Sequence, residues 1–565
     1  MFRFIHRDVA KSKTGANFIK NMIEGGIRSG KSDGIVATRF PPEPNGYLHI
    51  GHSKSIWLNF TIAEEFNGTC NLRFDDTNPE KEDVEFENAI KEDVEWLGYK
   101  WSGLYYASDY YDKFYECAIE LIKQGKAYVC ELTAEQTREY RGKLGEAGKE
   151  SPFRNRSVEE NLELFEKMRK GDVEEGKAIL RAKIDMASPN MNMRDPAIYR
   201  VKKLKHHRTG DAWPIYPMYD FSHCISDALE GITNSLCTLE FEDHRPLYDW
   251  FLDQLQPLVN HKHPQQTEFS KLKLTYNIVG KRDLRKLIEE KHVEGWDDPR
   301  LPTLRALRRR GVSPRAIRGL SEQVGVTKKE SVIDMGTFEA IIRDDLNVHA
   351  PRAMCVLDPI KVTITNWDAS KTEELEAPSH PNNEEMGVRK LKFSKTVYLE
   401  REDFEEVPPE GFRRLIPGGE VRLRYAYIIK CEEVIKDASG KVTELKCSYD
   451  PDTRSGTGTS TKKVSGVIHW VGEGDCEKAT VRIYDRLFSA EFPGKAHDGD
   501  YLKDLNPDSL HVFENALIEK SIANTKPEQQ YQFERHGYFV ADRVDTKPGQ
   551  LVFNRVVTLK DGWKK

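Results

Sequence analysis

Ile35 to Phe40 is a short apolar run that predicts a strand. Beyond it Ile56, Phe60 and Ala63 recur at helical spacing, and Asn71 to Phe74 predicts a second strand ending at Asp75-Asp76. Strand, loop, helix and strand make a βαβ unit, whose ligand site is the loop facing the helix N-terminus. A helix is then predicted with Asn78 as its cap and Pro79 at its first position, running through Trp96. Upstream, Phe18, Ile19, Met22 and Ile23 share one face of an N-terminal helix. From Asp109 to Arg208 charged helices alternate with polar loops, Ser157 to Lys170 among them, which reads as an insertion into the α/β fold. The sheet is expected to resume at Ile215 to Phe221 and at Leu236 to Leu239. Arg282 to Asn347 predicts helices, with a start at Ser313-Pro314. Past Pro351 the apolar period changes to two. Val421 to Val434, a turn at Asp437 to Gly440, and Val442 to Tyr449 predict a long hairpin, and Val464 to Val471 and Ala479 to Tyr484 continue the strands.

Composition narrows the class. A chain of 565 residues exceeds a single core, so several domains are expected. Its 86 basic and 92 acidic residues leave a net charge of −6, which excludes a generally basic nucleic-acid binder. Any RNA contact must use local positive surface. The nine cysteines show no CxxC pair and no Cys/His cluster at zinc spacing, so reduced thiols in a cytoplasmic compartment and no structural metal are expected. No apolar run approaches membrane-spanning length, and Asp8 argues against reading the basic N-terminus as a transit peptide. Arg308-Arg309-Arg310 reads as a solvated helix face.

The loop after the first strand carries the chemistry. Pro42-Glu43-Pro44-Asn45-Gly46-Tyr47-Leu48-His49-Ile50-Gly51-His52 sets two imidazoles three residues apart at a helix start, where both can donate to a phosphate. A lone His-x-x-His would read as two surface histidines. The whole string, with Arg39-Phe40-Pro41 ahead of it, resembles the HIGH signature of class I aminoacyl-tRNA synthetases in its glutaminyl and glutamyl version. The resemblance runs from Asn17 to Trp563. It implies a Rossmann-type α/β catalytic domain with an α/β insertion, a helical connector and two C-terminal all-β anticodon-binding barrels. The corresponding divisions are 1–33 (N-terminal helical segment), 34–108 and 213–272 (the two halves of the catalytic fold), 109–212 (acceptor-stem insertion), 273–348 (mobile loop and connector) and 349–565 (barrels). A monomer is also implied.

The same resemblance assigns residues. Ile278-Val279-Gly280-Lys281-Arg282 is similar to the lysine-bearing KMSKS loop, with Lys281 as its lysine. Gly280 stands where the family has Ser, and Val279 where it has Met. One lost hydrogen bond to phosphate costs about 1–3 kcal/mol, which slows an enzyme without abolishing its activity. His49, His52 and Lys281 are expected to supply charge and donors to ATP, which brings Mg2+ with it. Glu43, Pro44, Asn45, Ile50, Gly51, Ser53, Lys54, Ser55, Thr238, Lys271 and Leu272 match positions lining the nucleotide. Arg39, Asp75, Tyr219, Cys237 and Gln266 match positions around the amino acid. Glutamyl relatives place Arg where Cys237 stands, and a thiol cannot neutralise a buried γ-carboxylate, so glutamine is the implied substrate. Arg39 leaves open a glutamyl or non-discriminating enzyme, and Gly280 a relative that binds tRNA without catalysis. For RNA, Leu144 matches a wedge at the acceptor-stem end, though it can equally anchor its own loop. Asp243 matches a reader of acceptor base pairs, and Arg352, Arg413, Arg414, Arg422, Gln532 and Arg535 match anticodon contacts.

Overall fold

The computed structural model describes residues 17–563 apart from 81, 260–262, 459–460 and 465; Asp8 and the first part of the expected N-terminal segment lie outside them. The chain divides into two units, Met1–Lys273 with Ile317–Val332, and Leu274–Ala316 with Ile333–Lys565.

In the first unit α1 (Phe18–Arg28) is capped by Asn17, whose side chain accepts from Lys20 N at 3.1 Å, and it buries Ile19 and Ile23 as the apolar spacing predicts. β1 (Ala37–Phe40), α2 (Ile50–Glu65), β2 (Thr69–Phe74), α3 (Val84–Trp96) and β3 (Leu104–Tyr106) follow in order. The strands pair in parallel in the sequence β1-β2-β3. A parallel sheet covered on both faces calls for apolar strands. Here Thr38, Arg39, Asn71 and Arg73 are buried polar exceptions, and packing alone does not explain them.

Two expectations need correction. The α3 helix starts at Val84 with Asp83 as its cap, accepting from Glu85 N at 2.8 Å. Asn78 and Pro79 lie outside it, because Glu82 Oε1 takes the Asn78 amide at 2.6 Å and holds this stretch in another turn. The strand expected to resume the parallel sheet, Ile215–Pro217, instead completes an antiparallel sheet. Its order is β4 (Ala127–Cys130), β5 (Ile179–Ala182), β6 (Ala197–Val201) and β7 (Ile215–Pro217), and Phe221 is already helical within Tyr219–Leu229. A short apolar run does not encode which sheet it joins. The parallel order resumes with β8 (Asn234–Thr238) beside β9 (Gln265–Phe269), the entry to β8 being tied to β1 by Thr233 N to Ala37 O at 3.0 Å.

The second unit opens with helices Lys281–Glu289 and Leu304–Arg310, and Ser313 caps the next helix start through Ala316 N at 3.1 Å. Arg308-Arg309-Arg310 is not a solvated face. Arg309 and Arg310 are buried, Arg309 pairs with Asp542 and Asp545 at 3.0 Å each, Arg310 donates to Val556 O at 3.0 Å, and Arg308 pairs with Glu528. Their long stems and donors seat the helix on the C-terminal strands.

Beyond Pro351 lie two seven-stranded sheets. In each, the strands at the two ends of the sheet are chain neighbours. Arg352–Ala353 and Cys355–Val356 flank Met354, and Val467–Ile468 and Trp470–Gly472 flank His469. Each sheet therefore curls until its edges nearly meet, which makes two nearly closed barrels. The predicted hairpin is present as Ile428–Lys436 against Val442–Asp450, with Gly440 at φ +84° in its turn.

Candidate functional site

The loop after β1 leads into α2 through a cap built from imidazoles. His49 is the N-cap, and its Nδ1 accepts from Gly51 N at 3.0 Å. His52 Nδ1 accepts in return from His49 N at 3.1 Å, so the two rings form a reciprocal capping box 3.9 Å apart. Two consequences follow. Each Nδ1 holds a lone pair, so each proton sits on Nε2, leaving two N–H donors at a helix N-terminus. Burial also drives both rings towards neutrality, His49 down to about 2 and His52 to about 4. The expectation that these histidines bring charge is thereby corrected: they bring donors. Gly51 is required because a Cβ there would lie 2.8 Å from the His49 ring. Ser53 Oγ donates to Ile50 O, and the Ser55 carbonyl accepts from Asn59. Lys54 is buried, donates to Ser270 O at 2.8 Å, and is lowered to about 8 by desolvation.

Around this cap, Pro44 and Leu272 are buried, Glu43 pairs with Asn45, Thr238 Oγ1 donates to Glu240 at 2.9 Å, and Lys271 pairs with Glu240. Lys271 lowers both histidines further, in His49 after the neighbouring His52 ring. Val279, Gly280 and Lys281 belong to the second unit. There Gly280 caps the helix that starts at Lys281, and a Cβ on it would meet the Asp283 carboxylate at 2.5 Å, so a serine would displace that side chain.

The buried polar residues of β1 and β2 converge on one carboxylate. Asp227 accepts from Arg39 Nε at 2.8 Å, Arg73 at 2.8 Å, Ser235 Oγ at 2.7 Å and Tyr248 OH at 2.9 Å. Arg39 donates its remaining hydrogens to Leu236 O, Ser235 and His223 Nε2. Arg73 also reaches Glu230 at 3.3 Å. Desolvation pushes Asp227 up and the two arginines pull it down; the arginines prevail and hold it far below the usual carboxylate range. Burial keeps His223 neutral, and the two arginines face the Asp227 and Glu230 carboxylates, the second of which burial pushes up. Sequence reading missed Asp227, Arg73 and His223; a polar residue inside a strand that should be apolar signalled Arg73, whereas His223 and Asp227 lie in the helix Tyr219–Leu229, where spacing gave no signal.

This network underlies the predicted amino-acid pocket. Asp75, at the end of β2, is buried and raised to about 7 by desolvation, then by Glu43. Tyr219 stacks on His223 with centroids 4.8 Å apart, and its phenol feels Cys237, Arg39 and Asp75. Burial pushes the Cys237 thiol up to about 12, so it is neutral at physiological pH. Gln266 Nε2 donates to Phe241 O and to Glu268, each at 3.0 Å.

The RNA-facing candidates divide. Leu144 is 77% exposed at the tip of its turn, so it does not anchor its own loop. The loop is held instead by Arg194, which donates to Arg141 O and Lys143 O. Asp243 and Arg413 are exposed. Arg352 is turned inward, donating to Ala350 O at 2.7 Å and to Asn347, and its strand pairs in register with Gln532. Arg414 and Arg535 both pair with the buried Asp403, Arg422 donates to Thr453 O at 2.7 Å, and Gln532 donates to Tyr538 OH at 3.0 Å. Most of these donors are held by backbone or carboxylate partners, a positioning that spacing alone does not disclose.

Among the described residues two His/Glu groups stand close enough to share an ion, Glu82 with His206 and His207, and Glu400 with His469 and His536. In the second, Glu400 accepts from Leu357 N and Asp358 N at 2.8 and 2.7 Å and contacts His536 Nε2 at 3.1 Å, and Arg535 reaches His469 Nδ1 at 3.0 Å. Hydrogen bonding engages that carboxylate and ties the barrels together. No described helix is long and apolar enough to cross a membrane.

Comparison with known proteins agrees along the chain. Residues 35–348 match the family model "tRNA synthetases class I (E and Q), catalytic domain". Residues 350–450 and 467–542 match two "tRNA synthetases class I (E and Q), anti-codon binding domain" models. A glutamine–tRNA ligase of Pseudomonas putida is 57% identical over 97% of this chain and 96% of its own. One from Neisseria gonorrhoeae is 56% identical over 97% of this chain and 98% of its own. Among solved structures, a glutamate–tRNA synthetase from Elizabethkingia anophelis aligns with a TM-score of 0.42 at 18% identity, covering 56% of this chain and 71% of that one.

Proposed function

The chain belongs to the class I tRNA synthetases of the E and Q type, and from that premise we propose that it is a glutamine–tRNA ligase. The glutamine carboxylate attacks the α-phosphorus of ATP and pyrophosphate leaves; the 2′-hydroxyl of the terminal adenosine then takes the glutaminyl group and AMP leaves. ATP enters as its Mg2+ complex. No protein nucleophile is needed. The chain's task is alignment and stabilisation of charge building on the phosphates. His49 and His52 offer Nε2–H donors to the nucleotide, and Lys271 and Lys281 the positive charge. Asp75, once ionised, holds the substrate α-ammonium; its elevation to about 7 means that glutamine binding strengthens as pH rises through that value.

The observation that carries the choice of glutamine is the charge balance at Arg39. Its guanidinium is taken up by Asp227, and Cys237 and Tyr219 are neutral, so the pocket offers no uncompensated cation to a γ-carboxylate. A carboxamide suits such a site, whereas a carboxylate there would be buried unpaired. The test offers glutamine tRNA and glutamate tRNA labelled glutamine or labelled glutamate with ATP. Glutamine on its own tRNA alone is expected; glutamate on either would overturn the pocket reading.

Residues 109–212 would hold the acceptor stem and the two barrels the anticodon. Leu144→Ala is expected to lower kcat/KM for tRNA about tenfold, the scale of one base-stacking contact. Thermal unfolding should scarcely change, because the side chain is 77% exposed. The nine cysteines, all unpaired, support a cytoplasmic setting.

A further inference from the structure

His206 and His207 lie in the loop between β6 and β7, against the segment that carries Asp75. His206 is fixed by its neighbours. Its Nδ1 accepts from Arg208 N at 3.2 Å and Thr209 N at 3.1 Å, so its proton is on Nε2, which donates to Asp76 O at 2.9 Å. His207 Nε2 contacts Glu87 Oε1 at 2.6 Å. Its Nδ1 and the facing Glu82 Oε2 are both buried, 3.6 Å apart, and make no hydrogen bond to any described residue; His206 Nε2 lies 3.4 Å from the same oxygen, but its hydrogen is given to Asp76 O.

If His207 were neutral with its hydrogen on Nε2, two lone pairs would face each other in a buried space, a costly arrangement for both. One proton on Nδ1 replaces that repulsion with an ion pair across the 3.6 Å gap. A shared metal ion satisfies them less well, because His206 Nε2, the third member of the group, already carries a hydrogen and cannot ligate.

We propose that His207 is a positioning residue acting as an imidazolium, its Nε2–H held by Glu87 and its Nδ1–H directed at Glu82, which clamps the amino-acid end of the site. The path is short. Glu82 Oε1 accepts from Asn78 N at 2.6 Å, and next to Asn78 the Thr77 hydroxyl donates to Asp75 Oδ1 at 3.1 Å. The other groups facing this pair fit. Glu87 also meets Tyr106 OH at 3.1 Å and Lys91 at 3.8 Å, Asp76 lies 3.8 Å from both His206 and Arg208, and the His206 ring, centred 4.5 Å away, is neutral by its tautomer. The Glu87 hydrogen bond, chiefly, raises His207 above the usual histidine range. The link is therefore complete at low pH and lost as pH rises through the raised value, whereas Asp75 acts in the opposite sense.

The inference rests on the glutamine-activating reading, so one arm of its test is independent of activity. In protein labelled with 15N-histidine, the ring signals that vanish in His207→Gln should show both nitrogens protonated at pH 7; a neutral ring overturns the proposal. In the tRNA-dependent ATP–pyrophosphate exchange assay, the KM for glutamine should rise on the alkaline side in the unaltered chain. His207→Gln should raise that KM about tenfold, the scale of one charge-assisted hydrogen bond, with kcat and the KM for ATP unchanged. Glu82→Gln presents an amide N–H to a neutral Nδ1, so it should keep KM within about twofold while abolishing the alkaline rise. An equal loss of kcat and KM for both substrates in both variants, or a stoichiometric divalent ion in the purified protein, would overturn it. A chain that charges no glutamine sinks the functional reading and leaves the spectroscopic answer standing.

Discussion

Lys281→Ala is expected to lower the rate of glutaminyl-adenylate formation by about 10²–10³-fold while leaving tRNA affinity within about twofold. The reason lies in the state of the two histidines. Their Nδ1 atoms close the cap of α2 and burial keeps both rings uncharged, so in the proposed site they would give phosphate oxygens directional hydrogen bonds but no positive charge. On that proposal, charge building on the α- and β-phosphates would be met by lysines and by the Mg2+ that ATP would bring. Lys271 is paired with Glu240, and Lys281 is the second lysine proposed for the nucleotide, so its loss is expected to remove a full charge from that site. The measurement is pyrophosphate exchange in the presence of tRNA, with tRNA binding followed separately by filter retention. Lys281→Arg should recover part of the rate, since it returns the charge without the geometry. Exchange at the original rate in Lys281→Ala would sink the assignment of this loop.

Asp227→Asn is expected to destabilise the first unit by about 3–5 kcal/mol, the range for removing one partner of a buried ion network. Four donors point at this carboxylate, from Arg39, Arg73, Ser235 and Tyr248. An asparagine offers them one oxygen and turns an NH2 group towards the rest. Arg39 and Arg73 are each about 1% exposed or less, so no water compensates for the lost anion. Denaturant unfolding reads the cost directly. Sign follows from the depressed value of Asp227. Its contribution is complete above the ordinary carboxylate range and is lost only in strong acid, so the gap between variant and parent should be constant from pH 6 to 8. In the fraction that folds, Arg39 is uncompensated, and the ratio of kcat/KM for glutamate to that for glutamine should rise. An unchanged ratio would separate Asp227 from specificity; unchanged stability would remove it from the network altogether.

The alternation of apolar and polar positions by itself determined where β1, α2 and β2 lie, that α1 buries Ile19 and Ile23, and that the chain turns all-β past Pro351. Each is a local matter, since period and cap residues act within a few positions. The loop string with His49 and His52, and Cys237 where glutamyl relatives place an arginine, pointed to nucleotide and glutamine through the family resemblance they carry. Tertiary structure alone decided the rest. Ile215–Pro217 joined the antiparallel sheet because strand partners are chosen by long-range pairing that a three-residue apolar run does not encode. Asp83 displaced Asn78 as the α3 cap because Glu82 held the Asn78 amide. Arg309 and Arg310 were buried because carboxylates and carbonyls from the far end of the chain came to meet them. The charge of a group inside a fold depends on partners brought from elsewhere, and no spacing rule supplies these: Asp227 lies 188 residues from Arg39, yet it is Asp227 that compensates that arginine.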